Sequence, residues 1–136
     1  IYSVAVSDTD GLSSLHIQDF TPGAAVHTES KSNIKVTDEG YDVIWCEGIA
    51  IKTIDSLCRE LKTIPNAIKI DTDGNELKIL KGAKETLKND LLRSIVLEMP
   101  PSKQISDSCA EILILSGFML AWSHENTRNE IWVKTN

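Results

Sequence analysis

The chain has 136 residues, 41% of them hydrophobic and 25% charged, with a net charge of -6 at pH 7. That length suits one domain with a real core, the acidic balance without a basic cluster argues against nucleic acid as a main partner, and no apolar run is long enough to span a membrane. Cys46, Cys58 and Cys109 match neither a metal-ligand spacing nor a disulfide framework and predict free, mostly buried thiols in a reducing compartment, the cytoplasm.

Ile1 to Val6 (IYSVAV) is rich in β-formers and predicts a strand. It starts without a Met, so the natural start is expected further upstream. Ser7-Asp8 ends the strand, Asp10-Gly11 is a turn signal, and Ser13 to Ile17 is expected to return as a hairpin arm. Asp19 to Ser32, with Pro22 and Gly23, reads as a loop. His16 and His27 have no partner at ligand spacing and read as surface residues.

Asn33 to Val36 and Tyr41 to Cys46 are strand-like, with Asp38-Glu39-Gly40 as the turn between them. Glu47-Gly48 interrupts, and Ile49 to Thr53 alternates as a further strand. Trp45 reads as a core or sheet-packing residue. Asp55 is placed to cap a short helix, Ser56 to Leu61, and Thr63 to Asn66 feeds the next strand.

The most informative stretch is Asn66 to Leu92. Ala67 to Ile70 forms a short apolar run that ends in acid, at Asp71 and Asp73, and Gly74 breaks the strand. Leu77, Leu80, Ala83, Leu87 and Leu91 then recur at steps of three and four, the spacing of one helix face. In an open α/β sheet ligands gather at the carboxyl ends of strands, so Asp71, Asp73, Gly74 and Glu76 stand where chemistry is expected. Asp73 and Glu76 also fit a plain capping box, and both readings stay open. A cap does not explain Asp71, a carboxylate ending a buried strand, which is costly unless paired or wet. The loop is a poor EF-hand, with its glycine too early and Gly82 where the bidentate Glu belongs. A D-x-D pair can also hold a metal and a diphosphate, as in some glycosyltransferases. Gly82, within the helical pattern, predicts close helix-to-sheet packing.

Ser94 to Met99 is continuously apolar apart from Glu98, as in a strand covered on both faces. Pro100-Pro101 stops it. Ser106 or Asp107 is placed to cap a helix that ends at Gly117. Phe118 to Trp122, a polar turn at Glu125 to Asn129, and Glu130 to Lys134 predict a closing antiparallel hairpin. Alternating strands and helices predict a mostly parallel sheet.

Val4 to Asp8 with Asp10-Gly11, Lys52 to Leu57, Ile68 to Glu76, Leu80 to Ala83, and Ile95 to Glu98 occur in an order that resembles the C-terminal part of the FkbM family of S-adenosylmethionine-dependent methyltransferases. The resemblance implies one α/β domain over 1–136: the C-terminal portion of a Rossmann-like class I methyltransferase sheet, mostly parallel, with its N-terminal part absent and a β-rich insertion around 13–53. It implies methyl transfer to a hydroxyl of a sugar or other small molecule, with S-adenosylmethionine as cofactor and a divalent cation as a further candidate at Asp71. Ser7 and Asp8 take the place that meets adenine, Asp71 the place near the methyl group and acceptor, and Glu98 the same rim. On this reading Asp71 and Glu98 are catalytic, Ser7, Asp8 and Asp71 bind cofactor, and Asp73, Gly74 and Glu76 support the turn. The family's glycine-rich turn and ribose-gripping acid have no counterpart in the chain, so the chain alone is expected to be inactive. A nucleotide-sugar glycosyltransferase and a non-catalytic α/β domain are the alternatives.

Overall fold

In the computed structural model the described residues are 1–21, 27–32, 35, 42–124 and 126–134. They form β1 (Ala5–Val6), β2 (Gly11–Ile17), β3 (Thr28–Ser30), β4 (Trp45–Lys52), α1 (Ile54–Leu61), β5 (Ala67–Ile70), α2 (Glu76–Lys81), α3 (Lys84–Lys88), β6 (Ser94–Glu98), α4 (Lys103–Leu115), β7 (Phe118–His124) and β8 (Asn129–Lys134). No helix among these residues is long and apolar enough to cross a membrane.

The strands make two four-stranded sheets, ordered β1-β4-β2-β3 and β5-β6-β8-β7. This overturns the expected Rossmann-like, mostly parallel sheet. Two pairings are parallel, β1 with β4 and β5 with β6. Four are antiparallel: β2 with β3, β2 with β4, β6 with β8, and β7 with β8. The physical reason is connectivity. A parallel neighbour needs a crossover, and short links return a strand antiparallel. In the second sheet one such crossover, through α2 and α3, links parallel neighbours, whereas α4 delivers β7 to an antiparallel partner.

The parallel pair itself matches expectation: Ile68 stands opposite Ile95 and Ile70 opposite Leu97. So does the closing hairpin, β7 with β8. The first sheet departs further. β1 and β2 are not a hairpin, because β4 lies between them and pairs with both. Glu47-Gly48 does not interrupt β4, since both residues pair with β2, opposite Leu15 and Ser14. The strand expected at Asn33 to Val36 and the turn at Asp38 to Gly40 lie outside the described residues, except Lys35.

Leu80, Ala83, Leu87, Leu92, Ile95, Leu97, Cys109 and Leu113 are buried together in the core, which lies between the second sheet and α2, α3 and α4. Each fully buried leucine or isoleucine contributes about 1.5–3 kcal/mol. The long helix expected after Gly74 is divided at Gly82-Ala83 into α2 and α3. Its last expected face residue, Leu91, lies beyond α3 and is exposed. α1 is capped by Thr53, whose hydroxyl accepts from Ser56 N at 3.0 Å. Asp55 instead caps α3: it accepts from Glu85 N at 3.0 Å, Thr86 N at 2.8 Å and Thr86 Oγ1 at 2.7 Å. α4 starts at Lys103, ahead of Ser106, and Gly117 ends it at φ +87.

Cys46, Cys58 and Cys109 are free, the last two buried. Burial pushes the Cys109 thiol up to about 11. Trp45 is not a core residue; it is half exposed and lies 6.4 Å from the Phe20 ring. His16 is not on the surface. It is fully buried in β2, and among the described residues neither ring nitrogen has a hydrogen-bond partner.

Candidate functional site

Because Ile70 is paired with Leu97, Asp71 and Glu98 follow side by side at the carboxyl ends of β5 and β6. Lys69, two residues before Asp71 on the same strand face, places Nζ 2.5 Å from Asp71 Oδ2. Arg128 donates from Nη2 to Glu98 Oε1 at 2.7 Å and from Nε to Met99 O at 3.0 Å, while Met99 N donates to Arg128 O at 2.8 Å. Arg128 reaches back in this way from a left-handed conformation, φ 53, in the turn before β8.

The two neighbouring carboxyls diverge in proton affinity. The Lys69 ammonium, then the adjacent Glu98 carboxyl, holds Asp71 below the usual carboxylate range. Burial, then the adjacent Asp71 carboxyl, raises Glu98, and the Arg128 charge opposes that rise. Asp71 therefore keeps the charge and Glu98 is the better proton acceptor of the pair.

Gly74, at φ +101, turns the chain between β5 and α2. The helix starts later than expected: Asn75, not Asp73, is the N-cap residue, and its side chain makes no cap bond. Glu76 is the first helical residue. Its buried Oε1 accepts from Thr72 Oγ1 at 2.9 Å and Gly74 N at 3.3 Å, so it fastens the turn from within. Asp73 is exposed at the same turn.

Ser7 and Asp8 lie elsewhere. A Cβ on Gly82 would fall on the Ser7 carbonyl oxygen, so the end of β1 meets the carboxyl end of α2. The Asp71 turn leads into the other end of this six-residue helix, about 9 Å away at 1.5 Å per residue. Ser7 is buried, and its hydroxyl donates to Glu29 Oε2 at 3.3 Å and Asp8 Oδ1 at 3.5 Å. Ser13 also donates to Glu29, and Lys78 Nζ approaches it at 3.5 Å. Ser7 thus supports a buried carboxylate, while Asp8 remains open to solvent. Glu29 was not marked by sequence; it follows a Pro-Gly stretch that reads as loop, and its partners come from three distant segments.

A cleft of about 590 Å³ runs between the two sheets. Val4, Ala5 and Val6 wall one side, Ile68 and Ile70 the other, and it reaches Thr72 and Asp73 at the acidic turn. Apolar walls ending at a carboxylate fit an adenosine, whose purine needs burial and whose ribose hydroxyls need acceptors. A metal fits less well. Among the described residues no three His, Cys, Asp or Glu side chains gather as a metal site. Asp71 and Glu98 are instead held by Lys69 and Arg128.

Residues 1–133 match the family model described as methyltransferase FkbM domain. The chain matches no curated protein and no solved structure.

Proposed function

Since the chain belongs to the FkbM methyltransferase family by its match over residues 1–133, we propose that it serves transfer of a methyl group from S-adenosylmethionine to a hydroxyl of a small molecule, a saccharide being one acceptor class. The observation that carries this reading is the Asp71–Glu98 pair, two carboxyls side by side with opposite shifts in proton affinity. S-adenosylmethionine supplies an electrophilic methyl group. Asp73 lines the cleft, and Asp8 and Asp71 follow its lining residues Val6 and Ile70 in the chain; these are the carboxylates assigned to the cofactor.

Asp71, charged and steadied by Lys69, accepts a hydrogen bond from a second hydroxyl of the acceptor and so orients the reacting oxygen. Glu98, raised by burial, takes the hydroxyl proton. Arg128 keeps the Glu98 carboxyl facing the pair. Lys69 and Arg128 already neutralise both acids, so no step is assigned to a divalent cation. The chain carries no glycine-rich turn, and its isolated hold on the cofactor is expected to be millimolar or weaker, near 4 kcal/mol.

Transfer of labelled methyl from S-adenosylmethionine to a panel of hydroxylated small molecules, assayed on the full-length gene product, tests the reading. Asp71→Asn and Glu98→Gln should each lower transfer at least ~100-fold, the scale of a lost acid–base group. Transfer that survives both substitutions would remove the pair from the mechanism.

A further inference from the structure

β7 is an edge of the second sheet, and its sequence, Phe118 to His124, carries no Lys, Arg, Asp, Glu or Pro. Its burial is as unusual as its composition. Phe118 is buried, and the six residues after it are exposed. Met119, Leu120 and Trp122 are 54, 47 and 48% exposed, and Ile114 and Leu115, at the end of α4 that leads into β7, are 60 and 76% exposed. Folded proteins normally blunt such an edge with charge, proline or a covering element, because its outward N–H and C=O groups template another strand. Among the described residues nothing covers this one.

We propose that the β7 edge is the interface with a second copy of this chain, paired antiparallel about a two-fold axis so that the two second sheets become one continuous sheet. Two features favour a copy over another protein. The first is geometry: an antiparallel edge contact about a two-fold is self-complementary, so each copy supplies the same residues, and the contact closes because it consumes both edges. The second is charge. Two chains at -6 repel overall, and β7 brings none of that charge into contact. The area is sufficient. The five apolar side chains show on the order of 500 Å² per copy, so pairing removes about 1,000 Å², where specific interfaces begin. About half of the β7 backbone groups point away from β8 and would gain partners.

Sedimentation velocity of the chain, from low micromolar to hundred-micromolar, should resolve a monomer–dimer equilibrium without larger species. Trp122→Lys and Met119→Glu each place a like charge on both copies within the apolar contact, and each should weaken dimerisation at least ~100-fold. Leu12→Lys, at an exposed β2 position, should leave it unchanged. A readout that needs no variant is amide exchange of residues 118–124 in the unaltered chain, which should slow as concentration rises. A monomer throughout, association that grows without limit, or a dimer whose β7 exchange is independent of concentration would each overturn the proposal.

Discussion

Gly82→Ala tests the contact that fixes β1 against α2. Gly82 has φ -82, so alanine adopts its backbone without strain. Judged by conformation alone, the substitution should stabilise by about 0.4–1 kcal/mol through the unfolded chain. Packing reverses that sign. The new Cβ falls on the Ser7 carbonyl oxygen, with Ser7 C at 3.2 Å and Asp8 Cα at 3.3 Å. All three are backbone atoms, held by the Ser7 N to Lys52 O bond at 3.0 Å. Gly82 is equally fixed, donating to Lys78 O at 2.9 Å and accepting from Asp55 N at 3.1 Å. One segment must move by about 1 Å, and overpacking of this kind costs about 1–3 kcal/mol, at times more. The net expectation is a loss of about 2 kcal/mol, a fall in Tm of roughly 6–10 °C for a chain of this size. Urea denaturation followed by circular dichroism measures it. Gly48→Ala is the control, because a Cβ there meets nothing within 4 Å. If Gly82→Ala matches or exceeds the unaltered chain in stability, the close approach is not real.

Asp55→Ala removes three acceptor bonds from the start of α3 and should cost about 2 kcal/mol, the upper range for a cap, in the same denaturation assay. Glu76→Ala should cost about 1–3 kcal/mol, since the two bonds its buried carboxylate accepts from Thr72 Oγ1 and Gly74 N are lost. Carboxyl carbon NMR titration should find Asp71 below its ordinary 3.8 and Glu98 above its ordinary 4.5. By linkage, the Asp71 contribution to stability is present above 3.8 and fades as pH falls through its lower folded value. The Glu98 contribution has the opposite sign: it is full below 4.5 and is lost as pH rises through its folded value. Arg128→Gln removes the opposing cation and should move Glu98 further up; a downward move would show that Arg128 is not its partner.

Local structure is legible in local sequence signals. Ile68 and Ile70 before an acid, Gly74 at the turn, and leucines at helical spacing after it located β5, α2 and Asp71. The apolar run at Ile95 to Leu97 located β6, and its pairing with β5 brought Glu98 beside Asp71. What failed depends on residues distant in sequence. Asp55 reads as the cap of its own helix, yet its carboxylate serves α3 thirty residues on. Glu47-Gly48 reads as a break, but β2 pairing carries the strand through it. Strand and helix alternation predicted a parallel sheet because it says which elements occur and not which strands become neighbours. Glu29, His16 and Ser7 are buried by contacts between segments, and no local pattern announces that.

The central claim is that S-adenosylmethionine meets this chain at the acids ending β1 and β5. Chemical-shift mapping on isotopically labelled chain, with S-adenosylmethionine at millimolar concentration and separately with a nucleotide sugar plus Mn²⁺, tests it most directly. The account predicts that S-adenosylmethionine shifts Asp8, Asp71, Asp73 and Gly74, while the nucleotide sugar leaves them unmoved. Shifts at Asp71 to Gly74 with the nucleotide sugar and Mn²⁺, and none with S-adenosylmethionine, would contradict it.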